Sequence, residues 1–208
     1  MLETASIALA TFFATIGPLD VAAVFAVLTG KQESSQRRWC AFRGVFIATV
    51  ILLAFALAGE AMLRGFGISL AALRTAGGIL LLLIAIEMVF ARPSGATSTT
   101  DAEEQEAQVR EDIAVFPIAT PLIAGPGAMG AAILLMADTA GDIALQAVVI
   151  SSLLAMLLIT FVCLLLATQL TRLLGVTGLQ VISRVLGVLI AALAVQFIFD
   201  GIIDSGMF

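Results

Sequence analysis

The sequence predicts an all-α polytopic membrane protein, with six transmembrane helices arranged as two inverted three-helix repeats whose first helices are broken. Hydrophobic residues make up 61% of the 208 positions, and the mean hydropathy is +1.15. In soluble domains only about half of the residues are apolar. Residues 143–171 include no charge, and about 20 apolar residues already span the hydrocarbon core. Gly17-Pro18 and Gly125-Pro126 interrupt two apolar segments at corresponding places in the two halves.

Each predicted span is a long apolar run, and the first and fourth contain the Gly-Pro breaks, because proline removes a helical hydrogen bond and clashes with the preceding turn. Ser69 is a candidate N-cap for the third span. We expect the basic residues at 31–43 to form a loop, and a glycine-containing turn to separate the last two spans. In chain order, the spans cover about residues 4–28, 44–63, 70–91, 113–137, 143–170 and 182–203.

The chain divides into a first repeat at 1–91, a polar cytoplasmic linker at 92–112 and a second repeat at 113–208, together forming one membrane domain. The linker is rich in Pro, Ser, Thr and Glu and shows no apolar periodicity. Arg74 and Arg184 open the third and sixth spans, with a one-residue slip in register between the halves. Three spans per half turn the second repeat upside down relative to the first, as in several transporter folds.

Basic residues predict the orientation, since cytoplasmic loops are enriched in Lys and Arg. With six crossings and both termini outside, only Arg64 and Arg74 lie outside, and Asp200 and Asp204 are solvated there. A rival topology, in which the first and fourth segments are re-entrant, gives a weaker bias of six against four. In the crossing topology the eight cytoplasmic residues are Lys31, Arg37, Arg38, Arg43, Arg92, Arg110, Arg172 and Arg184.

Composition also argues against several functions. The chain has no histidine and no tyrosine, so Ser-His and Cys-His nucleophiles and imidazole metal sites are excluded. We expect no enzyme activity, no cofactor, no metal and no nucleic-acid partner. Cys40 and Cys163 fall in different segments and are expected to be apolar fillers. Residues 1–19 contain Glu3 but no Lys or Arg, so they lack the basic start of a signal peptide and are expected in the mature chain.

The paired breaks predict a substrate site near the bilayer midplane. Half-helices starting after each break would direct amide protons and positive dipole ends at a shared gap, while freed carbonyls would accept a cation. The alternative is that glycine and proline merely kink two helices for packing. The candidate substrate-binding residues are Gly17, Pro18, Asp20, Thr120, Pro121, Gly125, Pro126 and Gly127.

Asp20 is the main candidate for an intramembrane charge, because a carboxylate placed there costs several kcal/mol and is usually functional. It would bind a substrate amine or carry a coupling proton, and it would also serve as an N-cap. Glu87 is the second candidate for ion coupling. Glu60 and Arg64, four residues apart, are expected to form a helix-end ion pair.

Two stretches resemble the MarC family of bacterial inner-membrane proteins. Residues 117–128, Pro-Ile-Ala-Thr-Pro-Leu-Ile-Ala-Gly-Pro-Gly-Ala, are similar to the family's hallmark, and residues 74–87 fit its third helix. The first segment departs from the usual Asp-Pro-x-Gly-x-x-Pro pattern. Here Gly17 replaces the aspartate, Asp20 the glycine and Ala23 the second proline. The resemblance implies a multi-pass protein of the bacterial plasma membrane, in a wider group that includes neutral amino-acid exporters.

Together these observations predict a secondary transporter that exports or exchanges a small neutral amino acid or similar metabolite, driven by a proton or sodium gradient. The partners expected are a small-molecule substrate, the lipid bilayer and, at 21.6 kDa, further copies in a homo-oligomer. The alternative is a membrane channel, or a scaffold that binds lipid or a partner protein without transport.

Overall fold

The computed structural model describes residues 1–30, 32–90 and 113–206, and for most residues between 170 and 183 it describes the backbone alone. All elements in this part are helical, which confirms the all-α fold class. The predicted linker at 92–112, the repeat boundary at residue 91 and Lys31 lie outside it. The elements are α1 (Leu2–Ile16), α2 (Pro18–Leu28), α3 (Ser34–Gly65), α4 (Leu70–Phe90), the irregular segment Ala114–Ile123, α5 (Pro126–Asp138), α6 (Ile143–Leu165) and α7 (Ala167–Asp204).

The described chain contains five helical stretches long and apolar enough to cross a membrane, with α1 and α2 together forming the first. The irregular segment and α5 make a sixth, bent by 53° at the second Gly-Pro break. The described chain therefore holds five candidate spans, or six if the bent pair crosses, and both breaks lie where the sequence indicates.

The fourth span follows α3 along the bundle instead of turning back. The Ala114 carbonyl lies beside Gly44, at 3.3 Å from where a Cβ would be, and Ile133 lies beside Gly59 near the other end of α3. Gly44 and Gly59 are about 22 Å apart along the helix axis. The span therefore runs parallel to α3 for most of the bundle's depth, as in the crossing topology.

Two expectations about loops were wrong. Residues 34–43, expected in a basic loop, form the first three turns of α3, because this stretch has no glycine or proline and Arg and Gln favour helix. The turn expected before the sixth span is also helical. Helix α7 begins at Ala167, directly after Leu166, since glycines inside a helix cost only about 1 kcal/mol each and no proline intervenes.

Helix pairing relates the two halves. Helices α1 and α2 pack on α6, while α3 packs on the irregular segment and α5; α4 pairs with α7, and α1 also contacts α5. If the first, second and third spans are exchanged with the fourth, fifth and sixth, the same set of pairings results. This pattern is the one an inverted repeat requires, and the repeat itself stays a prediction.

The pairing of α4 with α7 depends on small residues. A Cβ placed on Gly78, Gly187 or Gly201 would lie 2.7–3.1 Å from backbone atoms of the opposite helix. Small residues let helix backbones approach closely in membranes, where side-chain packing drives association. The two helices therefore touch backbone to backbone at three levels.

An ion cluster joins helix ends on one side of the bundle. The Arg74 guanidinium, in the first turns of α4, pairs with Asp138 at the end of α5 and with Asp204 at the end of α7. Asp204 is thus tied to a partner instead of being only solvated. The predicted ion pair between Arg64 and Glu60 is confirmed, with an N–O distance of 2.5 Å.

Candidate functional site

The first break is a single left-handed residue between two helices. Gly17 has φ 59° and ψ 61°; its N–H donates to the Phe13 carbonyl of α1, and its carbonyl accepts from Val21 of α2, both at 3.0 Å. Residues with a Cβ pay about 1–2 kcal/mol for this conformation, whereas glycine does not. Helices α1 and α2 are about 22 and 16 Å long, so the break lies well inside a hydrocarbon core of about 30 Å.

The second break is longer. Phe116 and Thr120 have extended backbone conformations, and the peptide bonds before both prolines of the irregular segment are cis. Gly125 follows this segment after Ala124 and is the N-cap of α5, which begins at Pro126. A Cβ on Gly125 would lie 2.6 Å from the Pro121 carbonyl oxygen. The glycine therefore allows the chain to fold back closely on itself just before the new helix starts.

The two breaks meet. A Cβ on Gly127 would lie 3.0 Å from Ile84 Cδ1 of α4 and 3.8 Å from Thr15 Cγ2 of α1. A cavity of about 30 Å³ lies between them, which is room for one or two water molecules. Five of the predicted site residues line it, namely Gly17, Asp20, Pro121, Gly125 and Gly127.

Asp20 is placed in the first turn of α2, with an exposed side chain at the edge of this cavity. One of its carboxylate oxygens lies 3.4 Å from the position a Cβ of Gly17 would take. The carboxylate is therefore folded back over the break. Because it is exposed, it can meet a cation that approaches the cavity.

The remaining predicted residues do not line the cavity. Pro18 is buried and Pro126 exposed, each as the first residue of its helix. The Thr120 hydroxyl donates to the Val115 carbonyl at 3.3 Å, inside its own segment. Glu87 is half-buried on α4, and its neighbours Ile84 and Met88 line the cavity.

Sequence reasoning missed Thr15, Ile84 and Met88, which also line the cavity. Thr15 donates its hydroxyl to the Thr11 carbonyl at 2.9 Å, and the Thr11 hydroxyl is buried with no partner in the described chain. Two threonines four residues apart, just before the first break, were a signal for a polar helix face. Ile84 and Met88 have the same spacing, but apolar residues in an apolar span carry no such signal.

Both helices that start at the breaks have glycine at the N-cap, Gly17 for α2 and Gly125 for α5. Glycine has no side chain to accept hydrogen bonds from first-turn amides. Two positive helix ends thus converge beside one carboxylate at the cavity. Within the described residues, no three acidic or cysteine side chains come together in a way that could hold a metal ion.

Comparison with known proteins supports the resemblance seen in the sequence. The family model described as MarC family integral membrane protein matches residues 2–205. A UPF0056 membrane protein of Methanocaldococcus jannaschii is 40% identical over 196 residues, covering 94% of each chain. Relatives carrying the UPF0056 name also occur in Bacillus subtilis (32% identity, 95% of this chain and 92% of the relative) and Aquifex aeolicus (34% identity, 92% and 89%). No solved structure matches the chain.

The match covers nearly the whole described fold, including both breaks and every candidate span. Relatives at 30% identity or more over nine-tenths of the chain come from archaea as well as bacteria. This chain belongs to the MarC family of integral membrane proteins.

Proposed function

We propose that this protein is a secondary transporter that exports or exchanges a small neutral amino acid, or a metabolite of similar size and charge, through a site at the two helix breaks. The observation that carries the proposal is the cavity shared by both breaks, at which two helices begin and one carboxylate lies. Broken helices in corresponding places of two halves are typical of transporter binding sites.

The charges around the cavity favour a zwitterion. The N-terminal ends of α2 and α5 present amide protons and partial positive charge, which stabilise a carboxylate. The Asp20 carboxylate attracts an ammonium group or a coupling cation. A neutral amino acid supplies both opposite charges a few ångströms apart.

In the proposed transport cycle, a cavity of this volume would correspond to a closed state. Space for one or two waters does not admit an amino acid, so binding requires the breaks to open. The left-handed Gly17 and the irregular segment before Gly125 are the natural hinges, because neither break is held by a continuous helical hydrogen-bond ladder.

Other parts of the proposal follow from the sequence. We place the protein in the bacterial plasma membrane with both termini outside, assign ion coupling to Asp20 and Glu87, and expect a homo-oligomer. We propose no enzymatic activity and no nucleic-acid partner. A channel or a lipid- or partner-binding scaffold is the competing function.

The test uses the purified chain in proteoliposomes, with radiolabelled alanine, serine, threonine and valine and imposed proton or sodium gradients. We expect saturable, gradient-driven flux of at least one of them. Asp20→Asn should lower that flux at least tenfold, because it removes the charge facing the ammonium group or coupling cation. Asp200→Asn, at the end of α7 and hydrogen-bonded to Gln196, is the matched control and should leave flux unchanged.

Each competing outcome is distinct. Flux that never saturates would identify a channel. No flux of any probe under either gradient, or equal flux for the two aspartate variants, would remove the transport assignment at this site.

A further inference from the structure

A second cavity, about 240 Å³ in volume, lies where α2 ends, α3 begins and α6 passes into α7. It shares no lining residue with the cavity at the breaks. Arg37 and Arg38 line it, and none of the carboxylates that the structure describes does. In the described chain, neither guanidinium forms an ion pair with Asp or Glu, unlike those of Arg64 and Arg74.

Arg37 provides the stronger evidence that the cavity binds an anion. Its Nε atom is buried and has no hydrogen-bond partner in the described part of the molecule. A buried donor on a charged group costs several kcal/mol unless it is compensated. An anion bound in the cavity would supply the missing acceptor and the missing negative charge.

Further polar groups surround the same space. Ser34, the first residue of α3, lines the cavity. The N-cap residue before it, Glu33, accepts no side-chain hydrogen bond from the amides at the start of the helix. Gln169 of α7 also lines the cavity. Together with the two guanidiniums, these groups offer several donors to an anion with multiple oxygen atoms.

The cavity lies at the level expected for one surface of the membrane. Helix α3 has 32 residues and is about 48 Å long, whereas the hydrocarbon core is about 30 Å thick. Trp39 is 61% exposed and stacks on exposed Phe42, with ring centroids 5.9 Å apart. Exposed tryptophan marks the level of lipid headgroups. Arg37 and Arg38 directly precede Trp39, so they lie at the level of the lipid headgroups.

We propose that this cavity binds a phosphate-bearing anion, and that its source is the headgroup of an anionic phospholipid. Arginine binds phosphate through paired hydrogen bonds, and basic pockets between transmembrane helices hold such headgroups. The apolar part of the lining, Phe25, Leu164 and Leu165, suits the glycerol and first acyl carbons. This site does not depend on the proposed transport activity.

The experiment titrates the full-length protein in detergent with dioctanoyl-phosphatidylglycerol, dioctanoyl-phosphatidylcholine and sodium phosphate, and follows binding by native mass spectrometry and by thermal shift. We expect saturable binding of phosphatidylglycerol. Arg37→Gln should weaken it at least tenfold, the loss expected for hydrogen bonds to a charged group. Arg38→Gln should have a smaller effect in the same direction.

Arg184→Gln is the matched control, because Arg184 is exposed on α7 and does not line the cavity; it should change binding less than threefold. If Arg37→Gln does not fold, Arg37→Lys keeps the charge but loses the Nε donor, and should still weaken binding. Equally tight binding of inorganic phosphate supports the anion site and assigns it a soluble ligand. Equal binding of both lipids, no binding, or equal loss in the control overturns the proposal.

Discussion

Gly201→Ala tests the backbone contact between α4 and α7. The new Cβ would lie 2.3 Å from the Thr75 hydroxyl oxygen, 2.7 Å from the Thr75 nitrogen and 2.9 Å from the Ala71 carbonyl oxygen. The hydroxyl can rotate away, losing its 3.0 Å bond to that carbonyl, but the backbone atoms cannot. Carbon contacts are comfortable only from about 3.5 Å, so the helices must separate locally by somewhat less than 1 Å.

Overpacking of this kind costs about 1–3 kcal/mol, and the gain in helix propensity offsets about 1 kcal/mol of it. We expect a net loss of about 1 kcal/mol, which in a chain of this size corresponds to a decrease in Tm of about 2–4 °C. Gly130→Ala is the control, because a Cβ there meets no atom within 4 Å. It should raise stability by about 0.5–1 kcal/mol.

A thiol-reactive fluorogenic maleimide can follow this unfolding, because Cys40 is buried in α3 and Cys163 is partly buried in α6. Melting curves of the wild type and the two alanine variants are compared in one detergent at one protein concentration. The reasoning fails if Gly201→Ala melts at or above the temperature of Gly130→Ala. In that case the close approach of the two helices does not limit their packing.

Two further changes are informative. Arg74→Gln leaves two carboxylates unpaired and should lower stability by about 1–2 kcal/mol at low salt. Arg64→Gln is the control, because the Arg64 side chain is 79% exposed, and it should change stability by less than about 0.5 kcal/mol. Equal Tm shifts for the two variants would contradict the ion cluster. Gly127→Ala puts a methyl group into the cavity of about 30 Å³ and should lower transport in proteoliposomes at least tenfold, with a Tm close to that of the wild type. Gly130→Ala should transport normally, and a loss of flux in both variants would point to general damage to α5.

Local chemistry explains which features could be predicted from the sequence. Gly17-Pro18 and Gly125-Pro126 disrupt helical hydrogen bonding locally, because proline has no N–H, and both breaks appear where expected. Apolar runs likewise define the spans. The errors fall at the ends of helices, where residues 34–43 and 167–181 are helical although polar or glycine-containing, because hydropathy reports the extent of the hydrocarbon core and not the extent of the helix.

Long-range contacts explain what the sequence could not reveal. The pairing of Arg74 with Asp138 and Asp204 joins three helix ends that are far apart in the chain. Thr15 reaches the cavity only because α1 packs against the start of α5. Whether Glu87 or its neighbours face the cavity depends on how α4 is rotated about its axis. The sequence does not specify this rotation, because α4 is apolar on every face.

In the proposed transport function, the glycine contacts between α4 and α7 would restrict where the solute passes. At Gly78, Gly187 and Gly201 the two backbones approach too closely for a side chain to lie between them, so no solute fits between the helices at these three levels. In that function, a solute would pass the side of α4 that carries Ile84 and Met88, next to α1, α2 and the irregular segment. A transport cycle would then require α4 and α7 to remain packed together while the two broken spans change position relative to them.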